Sequence, residues 1–162
     1  MKFKIILVAS FMSIVFFMAF TRINKQNPDY HYLKERLQKT KLFTVEVIKA
    51  MPESDYMYKP TKEVRSYTAL VSHTVYSIEW NIELMKGTPI KWEPDNENRY
   101  SKEHLITYAN DQFDKLIAFI NNAKESTELT DKIIDVLNHN AHHRGQMTIY
   151  LRMKGITPPN YR

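Results

Sequence analysis

Thr130-Asp131-Lys132-Ile133-Ile134-Asp135-Val136-Leu137-Asn138-His139-Asn140-Ala141-His142-His143-Arg144-Gly145-Gln146-Met147-Thr148-Ile149-Tyr150-Leu151-Arg152-Met153-Lys154 is one uninterrupted run without proline. Its apolar residues recur at three- and four-residue spacing, which predicts a long amphipathic helix. Thr130 can cap its start, Asp131 suits the positive end of the helix dipole, and Gly155 stops it. Thr157-Pro158-Pro159-Asn160-Tyr161-Arg162 then reads as an extended tail. On such a helix His139 and His143 lie one turn apart on the same face, so both imidazoles can aim at one cation. A stable transition-metal site usually needs at least three protein ligands, so a third must come from another segment.

His73 is the candidate. It lies in a second helical run, Ser66 to Lys86, where Leu70, His73, Ser77, Trp80 and Leu84 share a face, and it is expected on the buried stripe. A buried imidazole is costly unless hydrogen-bonded or metal-bound. Any one of these histidines alone would be a hydrogen-bonded core residue. A His-x-x-x-His pair facing a third inward histidine is a metal-site pattern.

Two further helical runs complete the chain. Asn27-Pro28 forms an N-cap and a first helical position, followed by Tyr30, Leu33, Leu37, Thr40, Thr44, Val47 and Met51 at helical spacing, with Pro52 closing the run. Ser101 can cap another, with Leu105, Tyr108, Gln112, Leu116 and Phe119 inward, running to about Lys124. Ser66 caps the His73 helix, and Gly87, Thr88 and Pro89 end it. Residues 52–65 hold two prolines and no sustained period, so they read as a long crossover loop. Residues 90–100, polar and including Trp92 and Pro94, form a second connection expected to cover part of the bundle mouth. Four helices without strand-like alternation define an all-α four-helix bundle, residues 27–162.

Ahead of it stands a hydrophobic leader. Lys2 and Lys4 precede an apolar run, Ile5 to Phe20, the length of a signal-peptide core and short for a comfortable bilayer span. Residues 1–22 are therefore expected to be a signal peptide or N-terminal membrane anchor, rather than a tail packed on the domain. This predicts export, to a periplasmic or membrane-anchored location in a bacterium, with anchoring through residues 5–20 if the leader is retained. Phe17-Met18-Ala19-Phe20-Thr21 offers no clean small-x-small cleavage site, and Arg22 and Lys25 weaken the charge asymmetry for export.

The 162 residues, 43% hydrophobic and 25% charged, suit one domain with a sizeable core. Formal charge is +5, or +3 without Lys2 and Lys4, and the positive charges are scattered among acids. No basic stripe exists for nucleic acid. The absence of cysteine removes disulfides, a thiolate nucleophile and sulfur-ligated zinc. Chemistry must come from histidine, carboxylate, hydroxyl or metal.

Three neutral imidazoles suit a divalent transition metal, Zn²⁺, Ni²⁺, Fe²⁺ or Cu²⁺, and leave at least one coordination position open. A zincin protease is excluded, because Asn140 rather than glutamate follows His139. A carboxylate-bridged di-iron bundle is disfavoured, since no Glu-x-x-His occurs. His142 points about 100° round the helix and reads as exposed, as do His31 and His104 near helix starts. Arg144 is expected in a salt bridge to another helix, with an anionic substrate as the alternative. Gly145 implies close helix contact or room near the metal. Gln146, Tyr67, Trp80 and Asn81 are candidate pocket-lining groups.

His73, the block Asn138-His139-Asn140-Ala141-His142-His143-Arg144-Gly145-Gln146, then Tyr150-Leu151-Arg152 and Gly155-Ile156-Thr157-Pro158-Pro159 together resemble the DinB-like superfamily. Met51-Pro52-Glu53, Tyr58-Lys59-Pro60 and Val64-Arg65-Ser66 resemble its exit from helix one and entry to helix two, so the resemblance spans about residues 29–161. It implies an up-up-down-down bundle with a long first crossover, often a homodimer, holding a divalent metal on His73, His139 and His143. It also implies either a metal-dependent hydrolase acting on a small molecule or a thiol-dependent S-transferase. A non-catalytic metal-binding or stress-related bundle is the remaining class. Catalytic and substrate-binding residues beyond the triad are not assigned by the sequence.

Overall fold

The computed structural model describes residues 30–88, 90–91, 97 and 100–161. The leader, the Asn27-Pro28 cap, Trp92 and Pro94 lie outside the described residues. Among the described residues there are four α-helices: α1 (Tyr30–Ala50), α2 (Tyr67–Lys86), α3 (Lys102–Asn122) and α4 (Thr127–Met153). Among the described residues there is no strand, and no helix is long and apolar enough to cross a membrane.

Capping chemistry sets the boundaries. The Ser66 side chain accepts from Ala69 N–H at 3.2 Å, and Ser101 from His104 N–H at 3.2 Å, as their positions in sequence predict. The start of α4 moves upstream: Ser126 rather than Thr130 is the cap, accepting from Leu129 N–H at 3.1 Å. Thr130 instead donates its hydroxyl to Ser126 O, inside the first turn. Gly87 and Gly155 take φ values of 75° and 73°, the left-handed conformation that ends α2 and α4 and that glycine adopts without strain.

Two core clusters show how the helices run. One joins Val47, Ile48 and Met51 of α1 to Tyr67, Leu70 and Val71 of α2, Leu105 and Ala109 of α3, and Met147 and Leu151 of α4. The other joins Leu33 and Leu37 to Ile78 and Ile82, Phe113 to Ile120, and Ile133 and Val136. The first end of the bundle thus gathers the end of α1, the starts of α2 and α3, and the end of α4. The order is therefore up-down-down-up, not up-up-down-down. Residues 51–66 return to the end where α1 finished, pinned there by Tyr56 and Tyr67 hydroxyls donating to Ile48 O and Val47 O, each at 2.7 Å. The lengthwise crossover is the α2–α3 connection instead. It descends beside α2: Tyr76 donates to Lys91 O at 3.0 Å, Glu97 approaches His73, and Thr68 donates to Tyr100 O at 3.3 Å. A loop's length does not reveal which end of a helix it returns to, and both connections are long enough for either course.

Each fully buried leucine or isoleucine contributes about 1.5–3 kcal/mol, and both clusters hold several. The expected α1 stripe is buried from Leu33 to Met51. On α2 the buried stripe is Tyr67, Leu70, Val71, Thr74, Val75, Ile78 and Ile82. The face expected inward, with Ser77, Trp80 and Leu84, flanks it, and Trp80 and Leu84 are exposed. His73 consequently sits at the border between core and solvent, half-buried and reachable.

Candidate metal centre

Antiparallel packing of α2 against α4 brings His73 opposite His139 and His143. One ring nitrogen from each of these residues lies within 4.8 Å of the others. The Nε2 atoms of His139 and His143 are 3.2 Å apart, and the His73 ring centroid is 5.2 and 4.7 Å from theirs. Two nitrogens bound at about 2.1 Å to one ion at angles of about 90–110° stand roughly 3.0–3.4 Å apart, so the pair is already spaced for an ion.

Hydrogen bonding on the far side of each ring decides which nitrogen is bare. Ser77 Oγ lies 2.7 Å from Thr74 O, to which it donates its single hydrogen, and 2.9 Å from His139 Nδ1. The Nδ1–H of His139 therefore donates to Ser77, and its Nε2 keeps a lone pair. Gln146 Oε1, an acceptor, lies 2.8 Å from His143 Nδ1, while the Gln146 amide nitrogen reaches His142 Nε2 at 3.3 Å. His143 is fixed in the same tautomer. Two lone pairs then face each other at 3.2 Å, a repulsive arrangement that a cation between them makes attractive.

The third ring has a carboxylate behind it. His73 Nδ1 is 3.3 Å from Glu97 Oε1, and Arg65 Nε donates to Glu97 Oε2 at 2.9 Å. Both side chains of the His73–Glu97 pair are largely buried, at 17% and 13% exposure. A carboxylate on the outer nitrogen orients a ligand histidine and raises its basicity. Glu97 escapes sequence reasoning because it stands in a polar connection with no period tying it to His73.

Burial pushes the His73 and His139 pKa values down to about 4, reinforced by neighbouring imidazoles and by Arg65. Burial also lowers His143, against the opposing effect of its Gln146 hydrogen bond. The rings are thus neutral at ordinary pH, the protonation state that ligation requires. The residues present fit a divalent transition ion.

The remaining candidates take other roles. His142, His31 and His104 are exposed, as expected. Tyr67 and Asn81 bond to backbone, the latter to Ser77 O at 2.7 Å, and Gln146 is an orienting group for His143. Among the described residues Arg144 makes no salt bridge. Its guanidinium bonds Thr44 Oγ1 at 3.2 Å and Asn140 Oδ1 at 3.0 Å and lies over the Phe43 ring. A Cβ on Gly145 would meet nothing within 4 Å, so neither close helix contact nor metal clearance explains it. A pocket of about 640 Å³ adjoins the centre through Arg65, Glu97 and Gln146, with Val64, Leu70, Ile149 and Met153 among its apolar walls.

The DinB family model matches residues 24–162. The chain belongs to the DinB family. A DinB-like protein from Bacillus subtilis superposes with a TM-score of 0.63 at 18% identity, covering 81% of this chain and 98% of its own. Another from Bacillus cereus gives 0.67 at 15% identity, covering 80% and 95%. These likenesses establish a shared DinB-like fold. No curated protein matches the chain.

Proposed function

We propose that this DinB-family protein is a metal-dependent hydrolase that holds a divalent transition ion, Zn²⁺, Ni²⁺ or Fe²⁺, on His73, His139 and His143 and acts on a small molecule. The supporting observation is the 3.2 Å approach of two Nε2 atoms, each made an acceptor by a partner on its own Nδ1. Such an ion, when bound, supplies Lewis acidity that lowers the pKa of water or polarises a substrate oxygen. The chain supplies the orientation. Ser77 and Gln146 fix the His139 and His143 rings, Glu97 lies behind His73, and the adjoining pocket offers Arg65 for an anionic group and apolar walls for a hydrocarbon part. With no cysteine in the chain, no intrinsic thiol competes as nucleophile.

We place the reaction outside the cytoplasm, because Lys2 and Lys4 precede the Ile5–Phe20 run. That location favours water over a cytosolic thiol as the attacking group. Fractionation of the expressed protein is expected to find it in the envelope; a soluble cytoplasmic product beginning at Met1 contradicts the placement. For the activity, metal-loaded protein is offered esters and amides with and without a low-molecular-weight thiol. Turnover without thiol supports the hydrolase. Turnover only with thiol replaces it by an S-transferase, and metal binding with turnover of neither class leaves a non-catalytic bundle.

A further inference from the structure

The face of α4 turned away from the histidines carries a second pocket, of about 250 Å³. Ala141, Arg144, Gly145, Thr148 and Arg152 line it from α4, a stripe centred about 160° round the helix from His143 at about 100° per residue. Phe43 and the tail residues Pro158, Pro159 and Tyr161 close the other side, with Tyr161 edge-on to Phe43 at 5.5 Å between ring centres.

Its charge is one-sided. Arg144 is only 6% exposed, yet among the described residues its guanidinium meets neutral groups: Thr44, Asn140 and the Phe43 ring. Among the described residues no carboxylate pairs with it. Burying a guanidinium without a counter-charge is unfavourable, and its five donors are not exhausted by two bonds from one nitrogen. Burial depresses the Arg144 pKa, with the Tyr161 phenol opposing the shift and the nearby charge of Arg36 adding to it. Arg152, exposed and bonded to its own helix at Thr148 O, brings a second guanidinium to the same pocket, and among the described residues no acidic side chain lines it. Gly145 leaves the floor open, since a side chain there would meet no neighbour within 4 Å.

We propose that this rear pocket binds a small oxyanion, a carboxylate or a phosphate, between Arg144 and Arg152. Guanidinium groups match both anions through paired N–H donors, and the aromatic and proline walls shield the charge from water. The anion supplies a counter-charge that no described residue gives Arg144 and ties the tail to α1 and α4. It is independent of the metal centre on the opposite face.

The test follows thermal unfolding of the full chain against inorganic phosphate and, separately, acetate at constant ionic strength. A ligand that binds only the folded state raises Tm saturably. At least one anion is expected to do so. His139→Ala, run in parallel, should respond equally, which separates this pocket from any anion held at the histidines. Gly145→Leu fills the floor and should raise the apparent Kd at least tenfold, and Arg152→Gln should raise it several-fold. A phosphate-only response assigns a phosphoryl ligand, and an acetate-only response a carboxylate. Absence of a saturable response in the wild type, or an unchanged one in Gly145→Leu, overturns the proposal. If Gly145→Leu does not fold, an unchanged response in Arg152→Gln overturns it instead.

Discussion

Two polar clusters occupy neighbouring faces of α4, and burial treats them differently. His139 and His143 meet His73 with acceptor nitrogens converging, each ring locked from behind by a donor–acceptor bond. One residue along from each, Asn140 and Arg144 meet Thr44 in complementary order. Thr44 donates to Asn140 Oδ1 at 2.8 Å, and Arg144 donates to both. The first cluster gains from something absent in the chain itself, a cation. The second bonds within itself and holds α1 to α4, with Asn140 Nδ2 and part of the Arg144 guanidinium left over among the described residues. Polar groups at a helix interface can thus serve a ligand or the fold, and the direction of their donors and acceptors distinguishes the two.

The largest expected effect separates the clusters directly. His139→Ala should weaken metal binding by at least about 1,000-fold, well beyond the roughly 10- to 100-fold typical of an outer partner. His142→Ala should leave metal content unchanged, and equal loss in both variants would break the assignment. Acid should act on all three rings. Their folded pKa values lie below the unfolded value of about 6.5, so the unfolded chain takes up protons first. Stability of the metal-free protein is therefore fully present above pH ~6.5 and declines as pH falls toward about 4, where His73 and His139 protonate in the fold. Melting curves between these limits check the sign; a flat profile contradicts it.

Breaking the second cluster should cost stability without touching metal. Arg144→Met removes the guanidinium from Thr44 and Asn140, both fully buried or nearly so. A loss of about 2–3 kcal/mol is expected from the two charge-assisted bonds removed, Thr44 and Asn140 keeping their bond to each other, read as a lower denaturant midpoint with unchanged metal stoichiometry. A more stable variant would mean that the cluster serves something other than cohesion.

The triad was legible because helical periodicity constrains it. His139 and His143 share a face by spacing alone, and His73 falls in a capped apolar run. The caps Ser66 and Ser101 were legible for the same local reason. What local pattern cannot encode was missed or misassigned. Helix direction depends on which bundle end each loop returns to, a property of packing. Glu97 reaches His73 from a connection without period, and Arg144 pairs with Thr44 from a distant helix rather than with an acid. Ser126 and Thr130 both suit an N-cap by residue type, and only geometry selects Ser126.

Glu97→Gln tests how far the metal cluster extends. The amide keeps the shape but loses the charge that faces His73 and Arg65. Metal affinity measured against a competing chelator should fall about tenfold, the low end for an outer carboxylate. Arg65→Gln should change it less, because Arg65 meets Glu97 and no imidazole. If Arg65→Gln proves the more damaging, Glu97 serves to anchor the crossover rather than to hold His73.

The smallest effect sharpens the comparison most, because it concerns a residue between the clusters that belongs to neither. Gly145 follows Arg144 within α4, yet a Cβ there meets nothing within 4 Å and the backbone is not in a left-handed conformation. Neither packing nor conformation requires glycine. Gly145→Ala should then stabilise the helix by roughly 1 kcal/mol, through the backbone freedom that glycine loses on folding. Metal content should not change, because the added methyl lies on the face opposite the histidines. A gain in the denaturant midpoint with unaltered metal binding would show that the glycine is kept for the open space at the rear pocket. A loss would mean that the α4 surface is covered by something that needs the missing side chain.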